Sequence, residues 1–213
     1  MIRFLDIFFS VTALLFLSPI LILCVAVLAF TGEKEIFYAQ ERIGLKQNNF
    51  ELLKFATMLK NSPNMGSGTI TIKDDPRVLP FGRLLRKTKF NEVPQLINII
   101  KGDMSIIGPR PLTSENFNFY DKHAQIIISS VKPGLSGVGS IVFRNEEELL
   151  TNLSDPKKMY KEVISKEKQR LEIWFVNNRC VSVYLKLIGW TVVSLFTNNY
   201  QSHMFRFLGI DAT

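Results

Sequence analysis

The stretch KFNEVPQLINIIKGDMSIIGPRPL, residues 89–112, combines a predicted helix with a rigid extended segment. Asn91 is a favoured N-cap residue, Pro94 would fall in the first turn, and Gly102 would end the helix. Arg110 stands between two prolines, which restrict the backbone and fix the direction of its guanidinium. The stretch therefore predicts a capped helix followed by one oriented arginine.

The same stretch holds the components of a phosphate-handling site. Such a site needs fixed cations, backbone donors and a carboxylate. Arg86, Lys87 and Lys89 precede Glu92, and Arg110 can hold a phosphate through two N–H groups. Each residue also has a purely structural interpretation, because Glu92 could simply complement a helix dipole and Arg86 could be a solvated surface residue.

An apolar run covers residues 4–30, with Asp6 as its one charged residue. As a helix it would be roughly 40 Å long, more than the about 30 Å of a bilayer's hydrocarbon core. Ser18 and Pro19 lie near its middle, where proline removes a backbone hydrogen bond and favours a bend. Two interpretations remain open: a kinked transmembrane span, or a re-entrant helix in which the Ser18 hydroxyl bonds a freed carbonyl.

The composition places the rest of the chain beside a membrane. Among 213 residues, 26 lysines and arginines against 19 aspartates and glutamates give a formal net charge of +7. Basic residues near a membrane segment normally stay in the cytoplasm, and no nucleic-acid-binding motif is present. Two cysteines and two histidines are too few for a convincing disulfide scaffold or zinc site. Any metal should therefore be a hard ion such as Mg²⁺.

Local patterns predict several further elements. They indicate a hairpin around a turn at residues 46–49, a glycine-rich surface loop at 61–77 and a short basic helix at 81–88. A charged amphipathic helix should begin near Asp155. The apolar segment 180–196 contains a lysine and is short, which favours a helix that packs on the core or lies in the membrane interface.

Residues 1–196 closely resemble the bacterial sugar transferase family of monotopic phosphoglycosyl transferases. The resemblance rests on an ordered set of motifs: the apolar N-terminus with Ser18-Pro19, FYAQERIGL, LLKFATM, DDPRVLPFGRLLRKT, the central stretch and VKPGLSGVGSIVFRN. It implies an α/β fold that is mostly helical with a small sheet. It also implies a re-entrant membrane helix broken at Ser18-Pro19 (1–31), a cytoplasmic transferase domain with interfacial amphipathic helices (32–196) and a C-terminal tail (197–213).

The resemblance also implies a reaction. Such enzymes transfer a sugar-1-phosphate from a UDP-sugar to undecaprenyl phosphate, giving undecaprenyl-diphosphate-sugar and UMP, with Mg²⁺ as cofactor. An aspartate first attacks the β-phosphate, and the lipid phosphate then takes the phosphosugar. This step begins glycoconjugate synthesis on the cytoplasmic face of the bacterial inner membrane, where membrane lipids and downstream glycosyltransferases are the expected partners.

The resemblance assigns roles to particular side chains. Glu92 would assist the chemistry beside Mg²⁺, and the Ser18-Pro19 pair would form the apex of the membrane helix. The residues implied in binding phosphate or nucleotide are Lys54, Arg86, Arg110, Arg144 and Asn145.

The sequence departs from the family where an aspartate normally attacks, because Asn91 precedes Glu92 here. An amide is a poor nucleophile. Glu92 could replace it as the nucleophile, or act as a base while the lipid phosphate attacks directly. Alternatively Asn91 is an introduced inactivating change, or the protein is a non-catalytic relative that serves as a membrane scaffold or as a lipid- or nucleotide-binding partner. The intact charged residues favour a working transferase, because crowded unpaired charges are costly.

A second departure is the apolar segment IVF before Arg144, where many family members are more polar. It implies a different wall around the sugar or nucleotide, so the transferred sugar stays unassigned.

Overall fold

Helices form most of the structure, a computed structural model that describes residues 1–65, 74–150, 153, 155–197 and 200–209. Of the predicted glycine-rich loop at 61–77, residues 66–73 lie outside the described residues, and Ser62–Asn64 form a 3₁₀ turn. The helices are α1 Ile2–Phe30, α2 Pro80–Lys87, α3 Gln95–Lys101, α4 Ser114–Phe117, α5 Lys122–Ile128, α6 Val138–Val142, α7 Glu146–Leu149, α8 Pro156–Met159, α9 Ser165–Asn177, α10 Val181–Phe196 and α11 Gln201–Leu208. The strands are β1 Phe37–Ile43, β2 Asn49–Phe55, β3 Ser105–Ile107 and β4 Gly134–Ser136.

The strands form two small sheets. β1 and β2 pair antiparallel with Ile43 opposite Asn49, and a 3₁₀ turn at Leu45–Gln47 connects them. β3 and β4 pair in parallel. The predicted hairpin and the short helix at 81–88, observed as α2, are both confirmed. The expectation of a mostly helical fold with a small sheet is confirmed as well.

Helix α1 is long and apolar enough to cross a membrane. It continues through Pro19 as one element, so the predicted division into two helices is not seen. The Ser18 hydroxyl donates to the carbonyl of Leu15 at 2.8 Å. This is the carbonyl that lacks an N–H partner because residue 19 is proline, as the sequence predicted.

The central stretch differs from its prediction at Asn91. Asn91 lies inside a 3₁₀ turn, Phe90–Glu92, and α3 has its N-cap at Pro94. An asparagine cap at 91 would accept from the N–H groups of residues 93 or 94. The N–H of Val93 already bonds the carbonyl of Phe90 at 3.1 Å, and proline has no N–H. The predicted capping role is therefore wrong, whereas the predicted end of α3 at Gly102, with φ of 103°, is confirmed.

The C-terminal helices build the main core. The side chain of Asp155 accepts from the N–H of Lys158 at 2.9 Å, which confirms the predicted helix start, and a π-helical turn links α8 to α9. Helix α10 packs one face on the core through Tyr184 and Leu187, as expected. The segment from residue 197 contains α11, whose Met204 is fully buried in the same core. The division of the chain into domains stays a prediction.

The N-terminal end of α1 is bound into this core by its one acidic residue. Asp6 is 2% exposed, and its Oδ1 accepts from the Ser105 hydroxyl at 2.9 Å, the Ile106 N–H at 2.9 Å and the Tyr184 hydroxyl at 2.8 Å. Arg3 donates to the carbonyl of Ile100 at 2.8 Å, at the C-terminal end of α3. The start of α1 therefore contacts β3, α3 and α10 together.

Replacing Asp6 by alanine should destabilise the protein by about 3 kcal/mol, because two buried hydroxyls and one N–H lose their acceptor. Urea unfolding in detergent measures this loss. The control is Glu41→Ala at an exposed position of β1, which should change stability by less than about 0.5 kcal/mol. Equal stability of both variants would show that Asp6 does not join α1 to the domain.

Candidate active site

All the polar residues that the sequence predicted for the active site line one cleft of about 1720 Å³. Its lining includes Lys54, Arg86, Asn91, Glu92, Arg110, Arg144 and Asn145. Helices α1 and α10 line the same cleft with apolar residues, including Ala13, Leu17, Ile188, Val192 and Leu195. Ser18 and Pro19 lie in α1 and are not among the lining residues. The cleft therefore joins a charged region to the apolar surfaces of two helices.

Glu92 and Arg110 form the central contact of the cleft. Arg110 Nη2 donates to Glu92 Oε1 at 3.2 Å. The prolines at 109 and 111 restrict the backbone of Arg110, and the 3₁₀ turn presents Glu92. Burial alone would raise the pKa of Glu92, but the charges of Arg110, Lys54 and Lys89 lower it to about 2. Glu92 is thus an ionised carboxylate in a confined site at neutral pH.

Lys54 approaches the same pair from strand β2. Burial, followed by the positive charge of Arg42, lowers the pKa of Lys54 to about 7, although Glu92 opposes this shift. The charge of Arg86 on helix α2 also acts on Lys54. Several cations thus surround one carboxylate, so this part of the cleft has a surplus of positive charge that suits a phosphate or diphosphate.

Arg42 is a site residue that the sequence reasoning missed. It donates through Nη1 to the carbonyl of Pro111 at 3.1 Å and through Nη2 to Gln40 Oε1 at 2.5 Å. Burial, with the charge of Arg110, lowers its pKa to about 10. Strand alternation could have found it. Tyr38 and Arg42 are four residues apart in β1 and so lie on the same face of the hairpin, and Lys54 is paired with Tyr38.

Arg144 and Asn145 occupy another part of the cleft wall, after helix α6. Arg144 Nη1 donates to the hydroxyl of Ser194 on α10 at 3.1 Å, and Asn145 is exposed. The structure therefore brings them into the same cleft, on its α10 side.

A buried lysine borders the site from helix α9. Lys168 is 4% exposed and forms an ion pair with Glu146. Its ammonium lies 5.5 Å from the ring centre of Phe143 and 5.2 Å from that of Tyr160. Burial lowers the pKa of Lys168. All four residues line the cleft, and of these the sequence motifs marked only Phe143.

The oxygen atoms near Glu92 fit a metal only if it is shared with a substrate. In the described parts of the chain, no group of three His, Cys, Asp or Glu residues could hold a metal ion. However, the buried Oδ1 of Asn91 has no hydrogen-bond partner, and the neighbouring Glu92 is ionised. Mg²⁺ commonly uses one or two protein oxygens together with substrate phosphates and water. This pair of residues fits that pattern.

Comparison with known proteins gives matches to sugar transferases. The model of the bacterial sugar transferase family matches residues 1–198. The exopolysaccharide production protein ExoY of Sinorhizobium fredii is 36% identical, over 71% of this chain and 73% of its own. The uncharacterized sugar transferase EpsL of Bacillus subtilis is 34% identical, over 86% and 83%. The undecaprenyl-phosphate galactose phosphotransferase of Salmonella typhimurium is 31% identical, over 71% of this chain and 34% of that protein.

Fold and cleft together define a protein with an apolar N-terminal helix long enough to cross a membrane and a cleft lined by cationic side chains. The match over nearly the whole chain is specific: this chain belongs to the bacterial sugar transferase family.

The lowered pKa of Lys54 predicts a pH-dependent affinity for diphosphate. Between pH 6 and pH 8, Lys54 loses its proton, and the affinity for pyrophosphate should fall by about tenfold. Lys54→Arg stays charged over this range and should remove this fall. Isothermal titration calorimetry of both proteins at pH 6 and pH 8 measures these affinities. Pyrophosphate also changes protonation over this range, but its contribution is the same for both proteins and cancels in the comparison.

The matched control is Lys101→Arg, an exposed position on α3, which should keep the pH dependence of the parent. A Lys54→Arg variant with the parent's pH dependence would show that Lys54 is charged throughout or does not contact the anion.

Proposed function

We propose that this protein transfers a sugar-1-phosphate from a UDP-sugar to undecaprenyl phosphate, giving undecaprenyl-diphosphate-sugar and UMP. The observation that carries the proposal is the ionised Glu92, held by Arg110 among further cations, in a cleft that continues into apolar helices. The cations suit a diphosphate, and the apolar helices suit a lipid acceptor. The name of the Salmonella typhimurium relative, an undecaprenyl-phosphate galactose phosphotransferase, supports the same acceptor and the transfer of a sugar phosphate.

Helix α1 would attach the protein to the cytoplasmic face of the inner membrane without crossing it. Both end regions of α1 contact the domain: Asp6 bonds β3 and α10, and Cys24 and Leu28 pack in a cluster with Phe55 and Leu85. A helix that crossed the bilayer would hold its two ends about 30 Å apart across the hydrocarbon core. The two contacts therefore support a re-entrant arrangement, in which neither end of α1 reaches the periplasmic side.

The opposite side of α1 supports the same arrangement. Apolar side chains such as Leu15, Phe16, Ile22 and Leu23 are 62 to 81% exposed. Surfaces of this kind are buried in lipid or in partners. The excess of basic residues in the chain favours the cytoplasmic leaflet.

Glu92 would act as the nucleophile in place of the family's aspartate. A carboxylate with a pKa of about 2 is a poor general base at neutral pH. A nucleophilic carboxylate, in contrast, must be ionised. A Glu92 oxygen would attack the β-phosphorus, the bond to the UMP oxygen would break, and UMP would leave. An oxygen of the lipid phosphate would then attack the same phosphorus and release Glu92.

The surrounding residues would hold the groups that carry charge in both steps. Arg110, Lys54 and Arg42 would bind the phosphate oxygens, while Arg144 and Asn145 would bind the donor at the other side of the cleft. Mg²⁺, when bound, supplies further positive charge to the phosphates. The residues that would hold it are Asn91, through the amide oxygen without a partner, and Glu92.

Release of UMP from a panel of UDP-sugars, with undecaprenyl phosphate and Mg²⁺, tests the proposal. The parent protein should release UMP with at least one sugar, and Glu92→Gln should lower the rate by about a hundredfold or more, because an amide cannot replace the attacking carboxylate. Glu41→Gln, an exposed change on β1, is the control and should keep the parent rate.

If the parent is silent across the panel while Asn91→Asp releases UMP, Asn91 marks an inactive enzyme and a scaffolding role replaces the proposal.

The membrane arrangement predicts that both ends of α1 lie on the cytoplasmic side. A tag placed before residue 1 should be digested by protease in inverted inner-membrane vesicles but protected in right-side-out vesicles. A cysteine introduced at exposed Lys34, just after α1, reports the other end with an impermeant thiol reagent. A tag reachable from the periplasm would refute the re-entrant arrangement and leave a transmembrane span.

A further inference from the structure

We propose that Glu172, on helix α9, is a positioning residue that fixes the backbone of Arg110 from behind and so directs its guanidinium towards Glu92. Its catalytic consequence rests on the proposed function, in which Arg110 binds phosphate. The positioning itself is a statement about the fold and has its own test.

The contacts of Glu172 carry this inference. The residue is 2% exposed, and its Oε1 accepts from the backbone N–H of Arg110 at 3.4 Å. Its second oxygen, Oε2, is buried without a hydrogen-bond partner. Burial raises the pKa of Glu172 to about 7, although the N–H of Arg110 and the charge of Lys168 oppose this shift. A carboxyl group is costly to bury, so this one calls for a role.

Helix α6 leaves space for this carboxyl group. A Cβ atom on Gly139 would lie 2.5 Å from Glu172 Oε1. Any larger residue at 139 would therefore displace the oxygen that accepts from the Arg110 N–H. The absence of a side chain at Gly139 thus makes room for the carboxyl group of Glu172.

Glu172 acts on Arg110 and not on a ligand. It does not line the large cleft, and the small cavity that it does line has a volume of about 20 Å³. Such a volume is comparable with a single water molecule, far too small for a sugar or a phosphate. Pro109 and Arg110 form part of the wall of this small cavity, and Arg110 also lines the large cleft. Glu172 therefore contacts the Arg110 segment from the small cavity and not from the cleft.

The prolines beside Arg110 explain why such a support is needed. Proline has no N–H, so within residues 109–111 only Arg110 can donate a backbone hydrogen bond. Glu172 accepts that bond, while the carbonyls of Pro109 and Pro111 bond Gly134 and Arg42 at 2.8 and 3.1 Å. Both protonation states of Glu172 retain an oxygen that can accept from the Arg110 N–H.

Three variants test the positioning role. Glu172→Leu removes the acceptor, Glu172→Gln keeps an oxygen acceptor without the ionisable group, and Gly139→Ala displaces the native carboxyl group. Glu167→Leu, on the same helix and partly exposed, is the matched control. The first readout is hydrogen exchange of the Arg110 amide, which requires no activity. The second is the split between KM and kcat in UMP release.

Glu172→Leu and Gly139→Ala should speed exchange of the Arg110 amide and raise KM for the UDP-sugar, each by about tenfold. Glu172→Gln should keep most of the parent's protection of the Arg110 amide and most of its KM, and Glu167→Leu should match the parent in both measurements. Unchanged exchange and KM in Glu172→Leu would overturn the inference, and so would damage in Glu172→Gln equal to that in Glu172→Leu.

If the leucine variant does not fold, the parent and Glu172→Gln still decide the question, because an unprotected Arg110 amide in the parent contradicts the proposal. A parent without turnover on any UDP-sugar would refute the proposed function, whereas the exchange result would still judge the role of Glu172.

Discussion

The contact between Glu92 and Arg110 is the interaction on which the site depends. Burial alone would raise the pKa of Glu92, whereas the charge of Arg110 lowers it, and Glu92 holds the Arg110 guanidinium by a hydrogen bond of 3.2 Å. An incoming phosphate would compete for Arg110 and free the carboxylate at the same place. The two prolines, the 3₁₀ turn and Glu172 all act on the geometry of this one contact.

Helix α1 connects that contact to the membrane. Its first turns form hydrogen bonds with β3 and α10, and its later turns pack against Phe55 of the hairpin and Leu85 of α2. Between these regions, Ala13 and Leu17 line the same cleft as Glu92. In the proposed function, a lipid acceptor would bring its phosphate to the cations along an apolar surface. The position of α1 would then serve both attachment to the membrane and access of the lipid.

Much of this arrangement could be predicted from the sequence, because many signals are local or belong to an ordered set of motifs. The Ser18 hydroxyl on the freed carbonyl, the helix end at Gly102 and the start at Asp155 follow from backbone chemistry alone. Asn91 failed as a cap because proline at 94 removed one donor and the 3₁₀ turn used the other. Arg42 and Glu172 were missed because their roles depend on partners 69 and 62 residues away. Strand alternation could have placed Arg42 on the face of Lys54, but no local pattern reveals its bond to Pro111 or the contact of Glu172 with Arg110.

The central claim is that Glu92 takes the place of the family's aspartate as nucleophile. Intact-protein mass spectrometry after mixing with a UDP-sugar that the protein turns over, but without lipid acceptor, tests it most directly. The account predicts a mass increase equal to one sugar phosphate less one water, located on Glu92 in the peptide that spans residues 90–101 and lost when undecaprenyl phosphate is added. Turnover with no adduct at any time, or an adduct on another residue, would contradict it.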